Sequence, residues 1–418
     1  MSLSEQGGFC MDDIVKKRCE ERWTKGLARN QFMQEFFKHT LGVYTRIKFR
    51  YQQTLYQPKE KAFLLLINHT NDCDPFLASM LFPGYVRFVA TEQLTAGPAG
   101  KLVSFLVNPI PRKKGASAAD TMEYIKTNLR LGIPVAMFPE GTRSINGQTG
   151  YMSPRTGELI KECTGGLITC RITGGYLCYP VWAKHPRRGP AEGKVVREYT
   201  REELNGMSVD EINEAITKDL YINVYEQQRT DPKIYRGKAL AEGLENALYL
   251  CPKCHGVGTM ESRKNDYFCT CGYKVTLNET GFFSGEDLVF DNVLDWDLWQ
   301  REYIKQQVPV WKQNNQALIT ADDGESRKGM KLFETFGRKR RLLMKNAQAK
   351  LYCDRLELID GEKSESFMLS EISRMGNHRS TGLMFTCGGR YYEAASKREW
   401  PVFKYVALWR FLTGRQYL

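Results

Sequence analysis

Phe63-Leu64-Leu65-Leu66-Ile67-Asn68-His69-Thr70-Asn71-Asp72-Cys73-Asp74-Pro75 is the stretch on which the reading of this chain turns. Its first five residues are uninterruptedly apolar, the pattern of a short buried strand. Pro75 suits the first turn of a helix, where its missing N–H would have no partner anyway, and Asp74 stands where an N-cap belongs. The segment therefore predicts a buried strand running into a helix over Pro75–Leu81. His69 falls in the turn between them, at the sheet edge where open α/β folds place their sites. Asp74 can accept a hydrogen bond from one imidazole nitrogen, which fixes the tautomer and raises the basicity of the other, as a general base requires. A surface histidine beside a helix cap gives the same local pattern, so this stretch alone leaves both readings open.

Working outward, Val86–Ala90 reads as a second strand. Ala116–Leu131 reads as a helix stopped by Gly132, and Pro134–Phe138 as a third strand. This alternation predicts an α/β domain with a central, largely parallel sheet. The third strand leads into Phe138-Pro139-Glu140-Gly141-Thr142-Arg143-Ser144. Gly141 lets the backbone approach a ligand, Arg143 can fork onto phosphate oxygens, and Thr142 and Ser144 add donors. Upstream, Leu27–Tyr51 carries Phe32, Phe36, Phe37, Leu41 and Tyr44 at helical spacing, with Lys38, Arg46, Lys48 and Arg50 among and after them. That amphipathic helix either packs on the domain or lies in a membrane interface.

The chain has 418 residues, too many for one comfortable core. The expected division is an α/β domain over 1–245 with the amphipathic helix at its start, a cysteine-rich module over 246–280, and a β-rich domain over 281–418. An apolar fraction of 42% with 26% charged residues excludes a disordered chain. The net charge of +12 favours polyanions: nucleic acid, anionic head groups or acidic carriers. Basic residues cluster at Arg112-Lys113-Lys114, Arg187-Arg188 and Arg338-Lys339-Arg340-Arg341. Met1–Gln6 lacks the basic start and apolar core of a secretory leader, so a reducing compartment without disulfides is expected. No stretch reaches the ~18–20 uncharged apolar residues that span a bilayer.

Cys251-Pro252-Lys253-Cys254 and Cys269-Thr270-Cys271-Gly272 offer four thiolates across a hairpin's length of chain. Four such ligands point to one tetrahedral ion, with structural zinc expected at Cys251, Cys254, Cys269 and Cys271 and His255 as a bystander. Iron in the same sulfur set and a redox Cys-x-x-Cys are the alternatives. Beyond the cysteines, a Trp-rich helix is expected around Asp295–Gln306. Strands follow at Lys350–Cys353 and Arg355–Ile359, with a turn at Asp360-Gly361, and a closing helix at Trp400–Leu412.

Together the His69 and Glu140 segments resemble the glycerolipid acyltransferase superfamily, particularly bacterial 1-acyl-glycerol-3-phosphate acyltransferases. The family's His-x4-Asp block matches His69 and Asp74, and its Phe-Pro-Glu-Gly-Thr-Arg-Ser block is matched residue for residue. Asn108-Pro109-Ile110-Pro111-Arg112 is similar to the second block, without the acidic residue that often precedes its arginine. Tyr179-Pro180-Val181-Trp182-Ala183 is similar to the apolar fourth block. The resemblance covers roughly 40–183. It implies catalysis by His69 and Asp74, and substrate binding by Arg112, Glu140, Gly141, Thr142 and Arg143, with Glu140 either orienting the acceptor or organising its loop. It further implies acyl-CoA or acyl carrier protein as donor, a lysophosphatidate or related glycerol-phosphate acceptor, and no cofactor for the transfer itself. The place of action implied is peripheral, on the cytoplasmic membrane face. The C-terminal region resembles pleckstrin-homology-like lipid-binding modules in pattern alone. The rivals are a nucleic-acid-binding ribbon protein with a relic acyltransferase domain and a non-enzymatic lipid adaptor. Both conflict with an intact His69, Asp74 and Arg143, so nucleic acid is not an expected partner.

Overall fold

The structure is a computed structural model that describes residues 20–95, 97–112, 118–321, 329–336, 339–378, 381–397, 400 and 402–414. Lys113, Lys114 and Arg338 of the basic clusters, and the first residues of the helix expected from Ala116, lie outside the described residues. The chain forms two compact units. The first comprises the residues to Thr142 with Met152–Thr173 and Ala191–Ile222. The second comprises Arg143–Tyr151, Gly174–Pro190 and Asn223 onward.

The first unit is built on seven strands: β1 (Gln52–Gln53), β2 (Phe63–Ile67), β3 (Arg87–Thr91), β4 (Ile110–Arg112), β5 (Val135–Met137), β6 (Gly166–Thr173) and β7 (Glu192–Tyr199). Their order is β1-β7-β6-β2-β5-β3-β4. Every neighbouring pair is parallel except β6 with β7, so the largely parallel sheet expected from the sequence is found. β2 lies in the middle and all five of its residues are buried, which is why it reads as an unbroken apolar run. Helices include α1 (Leu27–Lys48), α2 (Asp74–Ser79), α3 (Gly97–Val107), α4 (Ala119–Arg130) and α5 (Val209–Leu220). Ile125 and Leu129 of α4, and Ile212, Ile216 and Leu220 of α5, repeat at helical spacing. They bury with Leu64, Leu66, Val135 and Leu167 of the sheet.

Two local expectations are corrected here. Asp74 is not the N-cap of α2. Cys73 holds that position without a side-chain cap, and the Asp74 carboxylate turns back toward residues 69–71. The second concerns Lys38 of α1, whose inward face is polar. Asn30 Nδ2 donates to the Phe105 carbonyl at 2.9 Å, and Gln34 pairs with both backbone groups of Val86 at 2.9 Å. Lys38, expected to face lipid, is instead largely buried, donating to the Phe82 and Gly84 carbonyls and pairing with Glu35 at 2.7 Å. Burial lowers its pKa. Outside, Phe32, Phe36, Val43 and Ile47 form one exposed stripe at i, i+4, i+11 and i+15, flanked by exposed Tyr44; Phe37 is half-buried.

The second unit holds an antiparallel ribbon of β8 (Met260–Arg263), β9 (Asp266–Cys269), β10 (Lys274–Leu277) and β11 (Phe283–Ser284). The Trp-rich helix, α6, runs over Val293–Asn314, longer than the pattern predicts, with Pro309 inside it. Its Trp296 is fully buried against Tyr267, Tyr273 and Phe283. Beyond it come β12 (Ile319–Ala321), β13 (Met330–Phe336), β14 (Lys339–Leu351), β15 (Arg355–Asp360), β16 (Lys363–Met368), β17 (Ile372–His378), β18 (Gly382–Cys387) and β19 (Arg390–Ala395). Seven of these run β16-β15-β14-β13-β19-β18-β17, with β12 on β14. The expected turn is present between Asp360 and Lys363, where Gly361 takes a φ of +63°. Helix α7 (Val402–Thr413) buries Val402, Tyr405, Leu408 and Trp409 against this sheet's core, so the β-rich region closed by a helix is observed.

Candidate active site

β2 and β5 are parallel neighbours in register, Leu66 beside Met137, so the turns that follow them emerge side by side at the carboxyl edge of the sheet. His69 follows β2 and Phe138 follows β5, and their rings stack at 4.1 Å between centroids, inclined by 21°. The His69 Nδ1–H donates to Asp74 Oδ2 at 3.0 Å. Asp74 has no exposed surface, whereas the His69 side chain retains 19%. The same carboxylate accepts from the backbone N–H groups of Thr70 and Asn71, the latter at 2.9 Å, and from the Thr70 hydroxyl at 3.0 Å. Every partner of Asp74 is thus a donor, which fixes the carboxylate and assigns the imidazole proton to Nδ1. Nε2 is left with the lone pair that a general base needs.

Glu140 joins the two motifs: its Oε1 accepts the backbone N–H of His69 at 2.7 Å. Of the two roles open in the sequence, this contact supplies the organising one. Gly141 closes a turn by donating its N–H to the Phe138 carbonyl at 3.0 Å and takes a φ of +68°, a conformation that costs glycine nothing. Thr142 is exposed and ends the first unit. Arg112 ends β4, level with Thr91 of β3 and half-buried, at the same carboxyl edge as His69. The order β2-β5-β3-β4 puts three strand spacings, roughly 14 Å, between β2 and β4. Arg143, half-buried, opens the second unit's segment Arg143–Tyr151. His69, Asp74 and Glu140 are therefore brought together, Arg112 shares their edge, and the Gly-Thr-Arg turn is divided between the units.

Sequence reasoning missed three supports. Asn68, 2% exposed, pairs with both backbone groups of Ile172 at 3.0 and 2.7 Å, tying the end of β2 to β6. Phe138 supplies the surface on which the imidazole lies. In the second unit, Trp182 of the fourth block donates to the Tyr176 hydroxyl at 3.1 Å, and Tyr176 donates to the Ile145 carbonyl at 3.1 Å, just after Arg143. The first two residues sit in the motifs already quoted, but only pairing across the sheet gives them a role.

The sulfurs of Cys251, Cys254, Cys269 and Cys271 all lie within 4.8 Å of one another, so the four cysteines can hold a metal ion. Cys251 and Cys271 approach to 3.7 Å and Cys254 and Cys269 to 3.6 Å. A zinc–thiolate bond of about 2.3 Å puts tetrahedral sulfurs about 3.8 Å apart, so the donor set fits such an ion. Gly272, with φ of +92°, donates to the Cys269 carbonyl at 3.0 Å and turns the chain tightly enough for Cys269 and Cys271 to face one point. The His255 ring lies against Tyr303 at 4.6 Å.

Residues 46–182 match the family described as Acyltransferase. The histidine–aspartate dyad and the Phe-Pro-Glu-Gly-Thr-Arg-Ser turn lie inside that segment, so the chain carries an acyltransferase domain there. Among solved structures, the chain is similar to the 1-acyl-sn-glycerophosphate (LPA) acyltransferase PlsC from Thermotoga maritima. That likeness has 18% identity and a TM-score of 0.40, covering 52% of this chain and 88% of the other. No curated protein matches the chain.

Proposed function

We propose that this protein moves a fatty acyl group from an acyl-CoA or acyl carrier protein thioester onto the free hydroxyl of a lysophosphatidate or a related glycerol phosphate. The observation that carries the reading is His69, oriented by a fully buried Asp74 and stacked on Phe138 at the carboxyl edge of the sheet. Nε2 of His69 takes the acceptor's hydroxyl proton as the oxygen attacks the thioester carbonyl carbon. The C–S bond then breaks, and the imidazolium returns its proton to the leaving thiolate. Asp74 stabilises the imidazolium between these steps. Arg112 and Arg143 hold the acceptor phosphate, presenting the hydroxyl at reacting distance.

In this reading the four-cysteine cluster holds one structural zinc ion and takes no part in the transfer. The enzyme works peripherally on the cytoplasmic face of a membrane. Among the described residues no helix is long and apolar enough to cross a membrane. The exposed Phe32, Phe36, Val43 and Ile47 stripe of α1, with exposed Arg46 at its end, suits shallow insertion beside anionic head groups. The test is incubation with labelled acyl-CoA or acyl carrier protein and a panel of lysophospholipids, glycerol phosphate and unphosphorylated monoacylglycerol. Selective labelling of phosphorylated glycerol acceptors is expected. Labelling of unphosphorylated acceptors alone refutes the acceptor assignment, and no labelling of any acceptor refutes the activity.

A further inference from the structure

The loop Arg143–Tyr151 belongs to the second unit and is fastened within it at every turn. Ser144 is buried; its hydroxyl accepts the Gly147 N–H at 3.0 Å and donates to the Gln148 carbonyl at 2.7 Å. Val224 N–H donates to the Gly147 carbonyl at 3.1 Å. A Cβ at Gly147 would stand 2.5 Å from Val224 Cγ2, so the loop backbone and the Val224 side chain are closely packed. The contact of longest reach is polar. Buried Asn146 donates its Nδ2 to Asp297 Oδ2 at 2.8 Å, across 151 residues of sequence. Asp297 lies on α6, is 4% exposed, and also accepts from Gln300 at 2.8 Å and Arg301 at 2.5 Å. A carboxylate buried among three donors is a fixed anchor, and the Asn146 amide ties the loop to it.

We infer that Asp297 is a positioning residue for acyl transfer: through Asn146 it fixes the loop that begins at Arg143, and so the arginine that meets the acceptor phosphate. This rests on the proposed function for the role of Arg143, but not for the anchoring of the loop. Asn146 Oδ1 accepts the Gln148 N–H at 3.1 Å, so rotation of the amide disturbs the loop backbone too. Asp297 touches no reacting atom; its effect runs through the orientation of Arg143.

The test uses the full chain carrying Asp297→Asn, Asn146→Asp, or both. Asn146→Asp sets carboxylate against carboxylate, and Asp297→Asn removes the charge and leaves one carbonyl oxygen for the three donors Asn146, Gln300 and Arg301, while the double change restores a donor–acceptor pair between the two positions. Hydrogen exchange of residues 144–150 should quicken in both single variants and return toward wild type in the double one. The acceptor KM for a phosphorylated acceptor should rise roughly tenfold in each single variant, as expected for one charge-assisted hydrogen bond, with donor KM within twofold. Thermal melts separate a loosened loop from an unfolded protein. Should either single variant fail to fold, Asn146→Ala supplies the same loss without the repulsion. Unchanged exchange of 144–150 in a folded variant overturns the anchoring. Quickened exchange with an unchanged acceptor KM overturns the positioning role. A wild-type enzyme that transfers nothing to phosphorylated acceptors counts against the proposed function, while the exchange result still decides the anchor.

Discussion

Asp74→Asn separates the charge of the dyad from its shape. Asp74 Oδ2 accepts from His69 Nδ1 and from the N–H groups of Thr70 and Asn71, and an asparagine carbonyl oxygen can take all three bonds. The amide NH2 then faces the Thr70 hydroxyl, which rotates to accept. What disappears is the negative charge beside the imidazolium. With nitrogen and oxygen 3.0 Å apart, the charge centres lie about 4 Å apart, and an effective dielectric constant of ~20 gives about 4 kcal/mol. A full charge is reached only after complete proton transfer, so the expected fall in kcat is roughly a hundred- to thousandfold. The assay is the rate of transfer from labelled thioester at saturating donor and acceptor, with a thermal melt of each variant. His69→Ala should lose ~10²–10⁴. The His69→Ala/Asp74→Asn double variant should be little worse than His69→Ala, since the two act as one unit. A folded Asp74→Asn enzyme within tenfold of wild-type kcat, or a double variant showing the product of the single losses, would refute the reasoning.

Protein purified without chelator should contain one equivalent of zinc by elemental analysis; chelation should open the β8–β11 amides to exchange while the β1–β7 sheet stays protected. Metal-free protein with a protected ribbon contradicts this. Replacing exposed Phe32 and Phe36 together by Ser should lower partition onto anionic vesicles about tenfold or more in a sedimentation assay. Undiminished partition removes the stripe from the membrane. Lys404 is 6% exposed, and burial pushes its pKa down to about 8 against the opposing pull of Glu245. Below about pH 8 the lysine is charged in both folded and unfolded chains and the burial penalty is fully present. Between about 8 and the ordinary 10.5 the unfolded chain binds more protons, so this residue makes stability climb with pH. Lys404→Met should therefore stabilise the second unit at pH 7 by up to about 3 kcal/mol and flatten that climb. Denaturant midpoints at pH 7 and 9.5 check both, and a destabilised variant contradicts the sign.

What the sequence disclosed was whatever is encoded locally. β2 was legible because five consecutive apolar residues need cover on both faces. The cysteine cluster was legible because ligand spacing is itself the signal. The dyad was found, but Asp74 was misplaced as a cap because an aspartate before proline satisfies that rule without revealing which donors are nearer. Lys38 of α1 was misplaced for a deeper reason. Aromatic residues at helical spacing ordinarily mark the core, whereas Asn30, Gln34 and Lys38 are drawn inward by carbonyl groups 44 to 75 residues away. No local pattern announces such partners. The Trp182–Tyr176–Ile145 chain of hydrogen bonds escaped for the same reason, although each residue sits in or near a recognisable block.

The 151 residues between Asn146 and Asp297 also set an order of events during synthesis. A ribosome adding ~5–20 residues per second needs roughly 8–30 s to pass from one to the other. β1 to β5 are already made when that interval opens, β6 and β7 follow within it, and the dyad can assemble on β2 and β5. The loop after Thr142 meanwhile waits for an anchor that does not yet exist. The nascent enzyme thus acquires its base before its loop is fastened. A chain cut short between the end of β7 and α6 would keep the reactive histidine and lack the anchor that holds the start of the arginine loop.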